Sequence, residues 1–107
     1  MRFHLIVYVP LADAPKVRKA LAGAGAGKLG NYDSCSFSSK GIGRFRPLKG
    51  AHPVIGQIGK VEEVEEERIE AMVDVPSEKE LHAVIAAMRE AHPYEEPAIH
   101  VLPMIDV

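Results

Sequence analysis

The amino-acid sequence predicts an α+β fold, a βαββαβ sandwich in which two helices cover one face of a single antiparallel sheet. Three observations lead there. Phe3 to Val9 is an unbroken aromatic and β-branched run of strand length. Ile69, Ala71, Val73 and Val75 alternate with Arg68, Glu70, Met72 and Asp74, the period-two pattern of a half-buried strand. Leu81, Val84, Ile85 and Met88 recur at i, i+3, i+4 and i+7, the apolar stripe of an amphipathic helix.

The elements follow in chain order. The first strand, Phe3 to Val9, closes at Pro10. Asp13 and Pro15 open a helix, because a short acidic side chain accepts from free backbone N–H groups and proline is tolerated in the first turn. Val17, Ala20, Leu21 and Ala24 mark its apolar face, and Gly23, Gly25 and Gly27 end it. Between Asn31 and Pro47, Tyr32, Cys35, Phe37 and Phe45 are separated by Ser and Gly, which predicts two short strands joined by a tight turn at Lys40 and Gly41. Leu48 to Gly59 reads as an ordered loop, and the long strand follows from Glu67. Ser77 and Glu80 have the spacing of a capping box in front of the second helix. His92-Pro93 stops that helix, since a residue before proline avoids helical angles, and Ala98 to Met104 forms the last strand, with Pro103 at an edge or at its end. The segment from Asn31 to Gly59 is thus an inserted hairpin and loop within a single domain spanning residues 1–107.

Composition narrows the function. With 107 residues there is room for one compact domain, and association into oligomers is a natural source of added stability at this size. Thirteen Lys and Arg against fifteen Asp and Glu give a net charge of −2, without the basic excess of a nucleic-acid binder. No apolar segment reaches the ~20 residues of a membrane span, and Met1 to Pro10 lacks the basic start and cleavage site of a signal peptide. One cysteine, Cys35, excludes an internal disulfide and fits a reducing compartment, so a soluble cytoplasmic protein is expected.

Several residues carry potential chemistry. Gly25, Gly27 and Gly30 match G-x-G-x-x-G, but they follow a helix instead of opening one, which is the wrong context for a dinucleotide site. Among His4, His52, His82, His92, His100 and Cys35 no sequence-local metal motif appears. His92, Tyr94, Glu95 and Glu96 together offer a titrating ring and acceptors for a divalent metal ion or polar ligand. Cys35 is either a nucleophile, with His52 or His92 as its base, or a structural thiol in a short strand. Arg44 and Arg46 flank Phe45, a grouping suited to gripping an anion or to meeting the acidic run from Glu62 to Glu70 on a neighbouring strand or another subunit.

These residues also fall into a larger pattern. Gly27-Lys28-Leu29-Gly30-Asn31-Tyr32, Cys35-Ser36-Phe37-Ser38-Ser39, Gly41 through Phe45-Arg46-Pro47, Gly50-Ala51-His52-Pro53, Ile55-Gly56 and Ala91-His92-Pro93-Tyr94-Glu95-Glu96 resemble the inserted middle domain of the YqfO-type proteins, the dinuclear-metal-centre hexamer family related to the NGG1-interacting factor. The His-Pro-Tyr-Glu run and the element order are also similar to the trimeric cation-tolerance protein CutA and, more distantly, to PII signalling proteins. The resemblance implies a ferredoxin-like fold and trimeric packing, here as an insert domain living alone. It does not imply the dinuclear site, whose ligands lie in two flanking halves that this chain does not contain. Matched by position, Tyr32, Ser36, Arg44, Phe45, Arg46, Pro47, His92, Pro93, Tyr94 and Glu95 are the expected ligand or intersubunit cleft.

Three functions are therefore in play. The leading one is an oligomeric binding or regulatory module, a homotrimer with no nucleic-acid or membrane partner. The second is a divalent-metal-binding protein of the CutA kind, using His92 with Glu95 or Glu96, joined by Cys35 or His52 from a neighbour. The third is a small enzyme using Cys35 or His92.

Overall fold

The computed structural model describes residues 1–105. Strand β1 (Arg2–Pro10) leads through a 3-10 turn (Leu11–Asp13) into helix α1 (Ala14–Gly23). Strands β2 (Phe37–Phe45) and β3 (Glu62–Asp74), helix α2 (Glu78–Ala91) and strand β4 (Ile99–Pro103) follow. The sheet order is β2-β3-β1-β4 with every neighbouring pair antiparallel. This is the ferredoxin-like βαββαβ arrangement.

The core lies on one face of the sheet. Val7 opposes Ile69, Leu5 opposes Ala71 and Phe3 opposes Val73, so these apolar residues share a face. Val17 and Leu21 of α1 and Leu81, Val84 and Met88 of α2 join them in one buried cluster. The alternation in β3 and the stripe in α2 are thus two sides of the same packed layer. On the opposite face Tyr8 opposes Arg68, whose guanidinium sits 6.0 Å from the tyrosine ring centroid.

Local details depart from the sequence expectations at three places. Pro15 lies in the first turn of α1, but Asp13 makes no side-chain capping bond. Ser77 occupies the N-cap of α2 with an extended backbone, yet its hydroxyl bonds the Glu80 carboxylate directly instead of a backbone N–H. That contact is the leading cause that holds the Glu80 carboxyl below its ordinary range.

The third departure is larger. There is no turn at Lys40 and Gly41: β2 runs through both without interruption, with Lys40 opposite Glu67 and Gly41 opposite Glu66. The hairpin consists of β2 and β3 themselves, and its connection is the loop from 46 to 61. The reason lies in the partner strand, which begins at Glu62 and is 13 residues long, so that most of the acidic run is strand. Next to its connecting loop the ribbon carries a cross-strand ion pair, with Arg44 opposite Glu63 and their side chains 3.3 Å apart.

The glycine-rich segment after α1 is stitched to the sheet. The Gly27 N–H donates to the Met72 carbonyl at 2.7 Å and the Cys35 N–H donates to the Gly27 carbonyl at 2.9 Å. Gly27 has φ +80°, and a Cβ there would stand 2.3 Å from the Cys35 carbonyl oxygen, so only glycine fits.

Candidate functional site

Three segments converge at the end of the sheet where β1 and β2 finish and β3 begins. Tyr8 comes from β1, Gly43 to Pro47 from the end of β2, and Glu66 from β3; the segment from Tyr94 to Ala98, between α2 and β4, closes the side. They enclose a crevice of ≈ 360 Å³, roofed by Pro53, Val54 and Ile55 of the 46–61 loop. Its walls are mainly apolar and aromatic. The Phe45 and Tyr94 rings meet edge to face at 5.7 Å.

Glu66 is the unusual residue of this crevice. It is only 7% exposed, and its Oε2 accepts the Tyr94 hydroxyl at 3.0 Å. Burial and the adjacent carboxylate push the Tyr94 phenol far above its ordinary range, so it remains protonated and donates. The carboxylate rests over Gly43. A Cβ at that position would lie 1.8 Å from Glu66 Oε1, so the glycine makes room for the acid.

His92 supports the crevice from below. Its ring lies 5.1 Å from that of Tyr94. The Tyr94 N–H donates to Nδ1 at 3.1 Å, which leaves the ring proton on Nε2, 2.7 Å from the Tyr8 carbonyl oxygen that accepts it. Burial lowers the imidazole pKa, opposed by the Tyr8 hydrogen bond and by the Glu66 and Asp13 carboxylates. Its extended backbone, φ −82° and ψ 136°, ends α2 as the following proline requires. The His52 N–H donates to Glu95 Oε1 at 3.1 Å and pins the roof loop to the wall.

The expected cleft is therefore divided. Arg44, Phe45, Arg46, Pro47, Tyr94 and Glu95 line this crevice, together with the metal candidate Glu96, and His92 packs against its Tyr94 wall; Pro93 is not among the lining residues. Tyr32 is 75% exposed in a separate turn closed by Leu29, and Ser36 shares a different crevice with Cys35 beside Arg18 and Leu21 of α1. Tyr8, Glu66 and Val54 line the crevice without any signal in the sequence that pointed to them, and Gly43 and Ile55, part of the resembling text, join them there.

The metal ligands expected from sequence do not come together within the chain. Among the described residues no group of three or more His, Cys, Asp and Glu side chains is gathered for a metal ion. His92 spends both ring nitrogens internally, Glu95 is engaged by the His52 backbone, and Cys35 lines other crevices. Cys35 is free, with its thiol directed at the Asp33 carbonyl, and shares no crevice with His52 or His92. The arrangement is suited to holding a molecule between aromatic rings and a buried carboxylate.

Fold and crevice together define a ferredoxin-like domain of the CutA type. The periplasmic divalent cation tolerance protein CutA from Archaeoglobus fulgidus superposes over 100% of this chain and 87% of its own, with TM-score 0.69 and 17% identity, a likeness of fold alone. At the level of sequence the chain resembles the inserted domain of the NIF3-related, YqfO-type proteins. The solved Bacillus cereus protein related to NIF3 matches with TM-score 0.82 and 44% identity over 98% of this chain and 26% of that one. A Halalkalibacterium halodurans protein named GTP cyclohydrolase 1 type 2 homolog is 47% identical over 102 residues, 95% of this chain and 27% of the relative. The chain thus spans about a quarter of the length of the curated relatives it matches. No family model matches it. Among the described residues no helix is long and apolar enough to cross a membrane.

Proposed function

We propose that the chain is a homo-oligomeric binding or regulatory module that assembles as a trimer and takes up a small ligand at the crevice beneath the 46–61 loop. The observation that carries the assembly is the pair of uncovered sheet edges. Strands β2 and β4 stand at opposite ends of the sheet with no further partner among the described residues, and they expose Phe37 (68%), Ile42 (55%) and Leu102 (53%). Edges of this kind are templates for pairing, and β2 of one copy against β4 of the next is a head-to-tail contact, which forms a three-membered ring when each step turns by a third of a circle. The ferredoxin-like fold shared with CutA supports the same reading.

Light scattering on the purified chain is expected to give the mass of a trimer, and Ile42→Lys with Leu102→Lys is expected to shift it to monomer. A monomer at micromolar concentration for the unmodified chain overturns the assembly. The metal-binding reading has less support, because among the described residues no group of three or more His, Cys, Asp and Glu side chains is gathered for a metal ion and both His92 ring nitrogens are engaged internally.

A further inference from the structure

We propose that the crevice binds a small organic cation, an amine or amidinium carried on a flat apolar body, with its N–H donors on Glu66 and its body beside Phe45 and Tyr94. The inference rests on the reading of the chain as a binding module and names the ligand class of that site.

The first ground is the state of Glu66. A carboxylate removed from water is costly unless its oxygens are supplied with donors. Tyr94 supplies one to Oε2, while Oε1 has no hydrogen-bond donor among the described residues. Oε1 is nevertheless not sealed in protein, since among the described residues no buried side-chain oxygen is left unsatisfied, and it lies over Gly43, where both residues border this crevice and an adjoining one beside Arg68. A donor entering the crevice completes the carboxylate.

The second ground is charge. Glu66, Glu95 and Glu96 face Arg44 and Arg46, and Arg44 is already paired with Glu63 outside the crevice. The remaining balance is negative, which favours a cation and disfavours an anion.

The third ground is the wall. Phe45 and Tyr94 present aromatic surface to the same space, the setting in which a desolvated cation gains from ring quadrupoles, while the Tyr8 ring already carries the Arg68 guanidinium at 6.0 Å. Pro53, Val54 and Ile55 cover it with apolar surface. Magnesium and calcium take six or more oxygens, and among the described residues no group of three or more His, Cys, Asp and Glu side chains is gathered for a metal ion, whereas a flat cation matches both the acid and the walls.

The test uses benzamidine, with benzamide as its neutral isostere and benzoate as its anionic one, followed by amide chemical shifts of the labelled chain. Benzamidine is expected to saturate with shifts at Gly43, Phe45, Glu66 and Tyr94. Benzamide is expected to bind at least about tenfold more weakly, and Glu66→Gln to weaken benzamidine by about tenfold or more, the loss of one charge-assisted contact. Val54→Trp fills the mouth from an exposed roof position and is expected to block binding in a chain whose spectrum shows it folded. Equal binding of benzamidine and benzamide, shifts confined to other surfaces, or no saturation in the millimolar range each overturn the proposal. Mass by light scattering on the same samples keeps this result separate from the assembly: a trimer that ignores benzamidine removes the ligand class and leaves the module.

Discussion

The Tyr94 hydroxyl reaches Glu66 Oε2 across 3.0 Å and ties the segment after α2 to a strand 28 residues earlier in the chain. Because the acceptor is a buried carboxylate, removing the donor leaves the acid short of a partner. Tyr94→Phe is expected to destabilise the fold by about 1–3 kcal/mol, read as a lower urea midpoint with unchanged m. No change in midpoint means that this bond is absent in solution.

Two glycines two residues apart on β2 are expected to respond differently. A Cβ at Gly41 meets nothing within 4 Å, whereas one at Gly43 lands on the Glu66 carboxylate. Gly41→Ala should be close to neutral. Gly43→Ala forces the carboxylate aside and off Tyr94, at about 1–3 kcal/mol. The same change made on a Tyr94→Phe background should cost less, since the bond it disrupts is already gone; strict additivity in this cycle contradicts the coupling.

Acid should loosen the molecule through His92. Its folded pKa is lowered, chiefly by burial, below the ordinary value of about 6.5, so the unfolded chain takes up the proton first. The stability it contributes is present above that ordinary value and is lost as pH falls through it toward the lower folded value. His92→Gln, which retains a donor toward the Tyr8 carbonyl, is expected to flatten the fall in stability as pH drops below neutral. A slope equal to that of the parent chain places the titration elsewhere.

Much of the fold was legible because its signals are periodic. The alternation from Ile69 to Val75 and the Leu81, Val84, Met88 stripe both report one buried face, and both faces meet in the core. The extent of β2 was not legible. Gly41 and Gly43 resemble turn punctuation, and only the register shows that Gly43 makes room for Glu66. The basic and aromatic text from Arg44 to Pro47 and the Tyr94-Glu95 run carried the family resemblance, but that they line one crevice together depends on the pairing of β2 with β3 and on the segment after α2. Glu66 was hidden within an acidic run that reads as solvated surface, since burial of a single member depends on partners distant in sequence. His92 was visible as a helix stop, but the capture of both its nitrogens depends on the Tyr8 carbonyl and the Tyr94 N–H, which no local pattern places.

Glu66 and Glu67 are neighbours in sequence and both are largely buried, yet they point to opposite faces of the sheet, one to Tyr94 and the other to Arg18 of α1. A slip of β3 by a single residue would exchange their surroundings, part both acids from their donors, and turn Arg68 toward the apolar layer beneath the helices. The paired acids therefore act as a vernier on the alignment of β2, β3 and β1. Hydrophobic residues alone would tolerate nearby misalignments in so glycine-rich a ribbon, and two adjacent charges with different partners leave one setting in which both are satisfied.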